Sequence, residues 1–71
     1  MPVNSKFKDK QVEAILIQII EVLEKNKAPV ELSLMAVGNI ATNIINNDIP
    51  RSQRAAVAQK FSDALFASID H

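Results

Sequence analysis

The chain has 71 residues, of which 48% are hydrophobic, 23% are charged and none is cysteine. This length allows one domain at most, and the lack of cysteine excludes disulfides and thiolate chemistry. Eight Lys and Arg residues balance eight Asp and Glu residues, so the chain lacks the positive charge typical of proteins that bind nucleic acid or anionic membranes. The hydrophobic content is mostly Ile, Leu, Val and Ala, which favours packed helices.

The first predicted helix runs from about residue 9 to residue 26. Its apolar side chains recur at helical spacing and form an arc about 160° wide. They are Val12, Ile15, Leu16, Ile19, Ile20, Val22 and Leu23. Phe7 precedes the predicted cap and is placed to form a hydrophobic staple with Val12. Residues 1–6 and 70–71 are expected to be flexible. Residues 1–11 lack the apolar stretch of a signal peptide, so we expect a cytoplasmic location.

The second predicted helix, about residues 30–47, contains sixteen consecutive uncharged residues, 32–47. One face is apolar and carries Leu34, Val37, Gly38, Ile40, Ala41, Ile44 and Ile45. The other face carries Asn39, Thr42, Asn43 and Asn46, where a surface helix normally carries Lys and Glu. Two interpretations stay open. Either this face is solvated and happens to lack charge, or it is partly covered, where charge is costly and paired amides are tolerated.

Gly38 is the only glycine of the chain and lies inside this helix, where it costs about 1 kcal/mol relative to Ala. Together with Ala41, Leu34 and Ile45 it follows the spacing of a coiled-coil seam, and small residues in such a seam allow another helix to cross closely. A domain this small without metal or disulfide usually needs oligomerisation or very tight helix packing. We therefore expect a homodimer interface formed by Leu34, Met35, Gly38, Asn39, Ala41, Thr42 and Ile45. Asn39, Asn43 or Asn46 would set the register of this interface.

Two short breaks separate the helices. Asn26 is expected to take the left-handed conformation that closes the first helix, and Pro29 disfavours helical geometry at the residue before it. Pro50 is expected to be the first residue of the third helix, about residues 50–68. The apolar stripe of that helix is Val57, Ala58, Phe61, Ala64, Leu65 and Ile69. The prediction is one three-helix domain over residues 1–71.

The sequence offers little acid–base chemistry. His71 is the only histidine, the serines have no base at a recognisable spacing, and Glu21 and Glu24 form the solvated face of a helix. No metal-ligand cluster or glycine-rich phosphate loop can be assembled. We expect no catalytic, cofactor-binding or metal-binding residues, and hence no enzyme.

Arg51 and Arg54 stand in the first turn of the third predicted helix, where positive charge opposes the helix dipole. One interpretation is an ion pair, within the chain or between subunits, with Asp48, Glu31 or another carboxylate. The other is a contact with an external anion or an acidic partner. With Lys6, Lys8 and Lys10, these arginines define the alternative function, a weak nucleic-acid-associated protein.

Residues 21–39, EVLEKNKAPVELSLMAVGN, closely resemble the most recognisable segment of the YejL-like proteins, a family of small gammaproteobacterial proteins. The match continues through ATNIIN and the later QR, AVAQ, F and AL positions, and it covers most of the chain. Lys8 stands where the family pattern has a serine cap. The resemblance implies an all-α chain of three helices in an intertwined homodimeric bundle, and it implies no activity.

These observations predict an all-α, cytoplasmic homodimer centred on the second helix. Its predicted role is that of a non-enzymatic interaction or adaptor protein, with an unidentified protein as the further partner. No cofactor and no membrane contact are expected, and nucleic acid is the disfavoured partner.

Overall fold

The structure, a computed structural model, describes residues 9–71, in which three α-helices follow one another without a strand. Helix α1 is Asp9–Lys25, α2 is Val30–Asp48 and α3 is Arg54–Ser68, and the 3-10 helix Arg51–Gln53 precedes α3. The predicted all-α class with three helices is confirmed for this part of the chain. The expected arm at residues 1–6, the cap at Lys8 and the staple of Phe7 lie outside the described residues.

Helix α1 is the element in which apolar and polar side chains are most clearly separated. Asp9 lies in its first turn and Lys25 in its last, which is the charge order that the helix dipole favours. Of its apolar side chains, Val12 and Leu23 are half-buried. The helix therefore begins and ends with favourable charges, and its apolar arc is only partly covered.

The turn after α1 closes through backbone hydrogen bonds around Lys27. Lys27 has φ 52°, its N–H donates to the carbonyl of Glu24 at 2.9 Å, and the N–H of Ala28 donates to the carbonyl of Leu23 at 3.0 Å. These are the two bonds of a Schellman motif, which usually has glycine at the left-handed position. Leu23 and Ala28, the two residues that this motif brings together, are both half-buried.

The left-handed residue of this turn is Lys27, so the expectation for Asn26 is wrong. Asn26 instead continues the helical pattern, because its backbone N–H donates to the carbonyl of Val22 at 3.1 Å. Its side-chain Nδ2 donates to the same carbonyl at 2.7 Å. With both donors directed back along α1, Asn26 is the last residue in register with the helix, and the reversal falls one residue later.

The third helix begins later than expected, because Pro50 is not helical. Pro50 has φ −56° and ψ 142°, an extended conformation, and it caps the 3-10 helix. The N–H of Gln53 donates to the carbonyl of Pro50 at 2.8 Å, and α3 then begins at Arg54. The fixed φ of proline suits both a first helical turn and an extended residue, so sequence alone did not distinguish them.

Backbone contacts group the described residues into two compact units, 9–37 and 38–71, and α2 is one continuous helix across the boundary. In the first unit the half-buried residues are Val12, Leu23, Ala28, Ser33 and Ala36. In the second unit they are Ala41, Ile45, Ile49, Arg54, Val57 and Ala64. None of the residues between 9 and 71 is fully buried. The prediction of a single domain stays a prediction.

Among residues 9–71, no helix combines the length and the apolar character needed to span a membrane.

Candidate interaction surface

The seven residues predicted to form a dimer interface all lie on α2 and differ in exposure. Leu34, Met35, Gly38, Asn39 and Thr42 are exposed, whereas Ala41 and Ile45 are half-buried. Leu34 and Met35 are 68% and 64% exposed, which is high for large apolar side chains. The predicted interface is therefore mostly open surface in the single chain.

At Gly38 the surface of α2 has no side chain and is open to solvent. A Cβ atom built at Gly38 would meet no heavy atom within 4 Å, so nothing in the single chain explains why this position lacks a side chain. The hydroxyl of Thr42 donates to the carbonyl of Gly38 at 3.0 Å, an i to i−4 bond that threonine often makes inside helices. Thr42 is exposed, and its hydroxyl proton is already paired within α2.

Exposed apolar side chains extend over all three helices. Seventeen large hydrophobic side chains of the described residues are between 40% and 75% exposed. They are Ile15, Leu16, Ile17, Ile19, Ile20, Val22, Val30, Leu32, Leu34, Met35, Val37, Ile40, Ile44, Phe61, Leu65, Phe66 and Ile69. Single exposed apolar residues are ordinary, but contiguous apolar surface marks interaction sites.

Arg54 closes the end of α2. In a continuing helix, the carbonyl of Asn46 would accept from the N–H of residue 50, but Pro50 has no N–H. The Nη2 of Arg54 supplies this bond at 2.7 Å, and its Nε donates to the carbonyl of Ile49 at 2.9 Å. A cation at a helix C-terminus is favourable. The attraction between Arg54 and the C-terminus of α2 therefore offsets the repulsion between this charge and the N-terminus of α3.

The two arginines predicted as a joint anion or partner contact therefore differ. Arg54 is half-buried and its donors serve two backbone carbonyls, rather than the carboxylate of Asp48 or Glu31 that sequence suggested. Arg51 is exposed, and its contact with an external anion or partner stays a prediction. The signal for Arg54 was available in the sequence, because a proline four residues after Asn46 removes the donor that its carbonyl needs.

The remaining polar groups are dispersed. Within residues 9–71, no three His, Cys, Asp or Glu side chains lie close enough to hold a metal ion. The ring of His71 lies 4.7 Å from that of Phe66, and its Nδ1 is 2.8 Å from the carbonyl of Ile69. An open groove of about 330 Å³ lies between α2 and α3. It is lined by Thr42, Ile45, Asn46, Arg54, Ala55 and Ala58.

The fold and this surface together define the chain as a small all-helical protein with extensive exposed apolar surface. The chain belongs to the family described as protein of unknown function DUF1414, whose family model matches residues 26–69. This result confirms the family resemblance inferred from residues 21–39.

Bacterial relatives match almost the whole chain. A UPF0352 protein of Mannheimia succiniciproducens is 55% identical over 69 residues, which cover 97% of this chain and 93% of the relative. A UPF0352 protein of Vibrio cholerae is 51% identical over 69 residues, covering 97% of both chains. A UPF0352 protein of Aliivibrio salmonicida is 49% identical over 70 residues, covering 99% of this chain and 93% of the relative.

Proposed function

We propose that the protein is a small, cytoplasmic, non-enzymatic interaction module that acts as a homodimer with α2 at its centre. One observation carries the proposal. None of the described residues is fully buried, and seventeen large hydrophobic side chains are at least 40% exposed. The chain has 48% hydrophobic residues, and residues 9–71 without a buried core lack the apolar burial that stabilises folded domains.

The kind of surface exposed supports a large interface. Large apolar side chains are exposed on all three helices of residues 9–71, and obligate homodimers bury surface that is more hydrophobic than that of transient complexes.

A second copy is the simplest partner that covers this surface. Homodimers with twofold symmetry are the commonest oligomers, and disulfide formation is closed to a chain without cysteine. The adaptor role proposed here is the binding of a further protein by the assembled dimer. Exposed polar groups such as Arg51 remain candidates for that contact.

The experiment is a measurement of mass and stability in solution. In light scattering after size exclusion we expect twice the 7.8 kDa of one chain at micromolar concentration. Because folding would be coupled to association, the melting temperature should rise with protein concentration. A cooperatively folded monomer at micromolar concentration, with a melting temperature independent of concentration, would contradict the homodimer.

The alternative function, a nucleic-acid-associated protein, can be tested through the exposed Arg51. Because the net charge is zero, we expect duplex DNA binding no tighter than about 10⁻⁴ to 10⁻⁶ M at physiological salt. Fluorescence anisotropy measures this affinity. Arg51→Ala is the matched variant, because it removes a cation without removing the hydrogen bonds of Arg54. Sequence-selective nanomolar binding that Arg51→Ala weakens would replace the interaction-module proposal with the alternative.

A further inference from the structure

We infer that the groove between α2 and α3 binds a small aliphatic carboxylate, with the guanidinium of Arg54 as its anchor. The groove has a volume of about 330 Å³, at the lower end of the range of about 300–1,000 Å³ for small-molecule sites. The residues that line it all belong to the unit 38–71. The site is therefore formed by one compact part of the chain.

Arg54 uses only part of its hydrogen-bonding capacity. A guanidinium carries five N–H donors in a planar arrangement. The Nε of Arg54 donates to the carbonyl of Ile49, and its Nη2 donates to the carbonyl of Asn46. Arg54 makes no other side-chain hydrogen bond to the described residues 9–71. The second N–H of Nη2 and the N–H groups of Nη1 remain, and such a pair of N–H groups binds the two oxygens of a carboxylate.

The two backbone bonds also hold the guanidinium in place. Arg54 is half-buried, and both of its partners are carbonyls at the end of α2 and in the turn that follows. A group that is already ordered loses little conformational freedom when a ligand binds. The same bonds that close α2 therefore prepare Arg54 for an anion.

The charge of the groove selects an anion. Arg54 is the only ionised side chain among the described residues that line it, so no carboxylate of the groove opposes an anionic ligand. The hydroxyl proton of Thr42 is already paired within α2. The side-chain amide of Asn46 has no partner among residues 9–71, and its N–H groups are further donors for a carboxylate.

The remaining part of the groove is apolar and selects the rest of the ligand. It consists of Ile45, Ala55 and Ala58, and the small side chains of the two alanines leave room beside Arg54. An aliphatic chain lying on these residues is removed from water, which favours binding. The ligand class is therefore a monocarboxylate with about four to six carbons, which suits a site of this volume.

The groove lies beside the predicted homodimer interface. Thr42 and Ile45 belong to both, whereas the other four lining residues belong to the groove alone. We therefore expect the site at the edge of that interface and open in the proposed homodimer. The inference goes beyond the proposed function and does not depend on it.

The test is a titration of isotope-labelled protein followed by NMR, with hexanoate as the probe. We expect saturable shifts of the backbone N–H signals of Asn46, Ala55 and Ala58 and of the side-chain Nε–H signal of Arg54. Half-saturation is expected at about millimolar hexanoate, as is usual for a ligand with so few atoms. Hexanamide has the same chain without the charge, and it should bind about tenfold or more weakly.

A groove-filling variant locates the site without changing Arg54, which also closes α2. Ala58→Leu places a larger side chain in the groove and should weaken hexanoate binding about tenfold or more. The matched control is Ala56→Leu, an exposed position of α3 outside the groove, which should bind as wild type does. If Ala58→Leu folds poorly, Ala55→Leu fills the same groove.

Three outcomes would overturn the carboxylate site while leaving the proposed homodimer intact. Equal binding of hexanoate and hexanamide indicates an apolar surface that does not recognise charge. A folded dimer without shifts at the groove residues indicates a groove that a second copy covers. Equal weakening by Ala58→Leu and Ala56→Leu indicates binding elsewhere. A monomeric wild type that binds hexanoate would overturn the homodimer and support the site.

Discussion

The two turns of the chain close in different ways. The turn between α1 and α2 is closed by backbone groups, with Lys27 at φ 52° and the bonds of a Schellman motif. The turn between α2 and α3 is closed by one side chain, because Arg54 donates to two carbonyls at the end of α2. The comparison shows that the same requirement, pairing the last carbonyls of a helix, is met by backbone N–H groups in one turn and by a charged side chain in the other.

The two prolines stand at different positions relative to the groups that close the turns. After α1, Pro29 lies beyond both N–H groups that close the turn, which come from Lys27 and Ala28. After α2, Pro50 occupies the position whose N–H the carbonyl of Asn46 requires. A helix-end carbonyl without a backbone donor is paired by a side chain or by water, and the planar guanidinium of Arg54 reaches two carbonyls at once.

The largest effect is expected from breaking the second turn with Arg54→Ala. This change removes two charge-assisted hydrogen bonds and leaves two helix-end carbonyls to water, at a cost of about 1.5–3 kcal/mol in the free energy of unfolding. Denaturant titration at fixed protein concentration measures the loss. The control is Arg51→Ala, an exposed change that should lie within about 0.5 kcal/mol of wild type. Equal losses in the two variants would show that the bonds of Arg54 contribute nothing.

A smaller effect of opposite sign is expected from relieving the first turn with Lys27→Gly. The left-handed conformation costs an L-residue about 1–2 kcal/mol, and glycine avoids this cost but loses about 0.5–1 kcal/mol through its backbone entropy. The variant should therefore be more stable than wild type by about 0.5–1 kcal/mol. The same titration measures the gain. Its control is Lys25→Gly, two residues earlier and inside α1, which should be less stable by about 1 kcal/mol. If both glycine variants lose stability, Lys27 is not strained.

The helices were predictable from sequence because periodicity and capping charge both act within a few residues. The start of α3 and the left-handed residue of the first turn were not. Asn26 and Lys27 are adjacent, and intrinsic preference favours Asn at the left-handed position. The hydrogen bonds from Asn26 to Val22 keep Asn26 in the helix and move the reversal to Lys27. Local preference was outweighed here by the length of the hydrogen-bonded helix.

The sequence predicts which residues share a face of α2, but it does not predict how exposed each of them is. Leu34, Ala41 and Ile45 lie along one seam of the helix, and periodicity predicts the same exposure for all three. In the structure Leu34 is exposed and the other two are half-buried. Which apolar residues the chain covers itself depends on the geometry of its turns, and the bonds of Arg54 that set one of them span five and eight residues.

Those short spans have a consequence for the order of folding. Closing a loop of five or eight residues costs little entropy and takes well under a microsecond. The corner that Arg54 forms therefore needs no second chain, and α2 and α3 can be joined at their turn while most of their apolar surface is still exposed. In the proposed homodimer, association would then bring together chains whose α2–α3 turn is already fixed. The slow step of assembly is thus expected to be a meeting of two molecules, whose rate depends on how many of them are present.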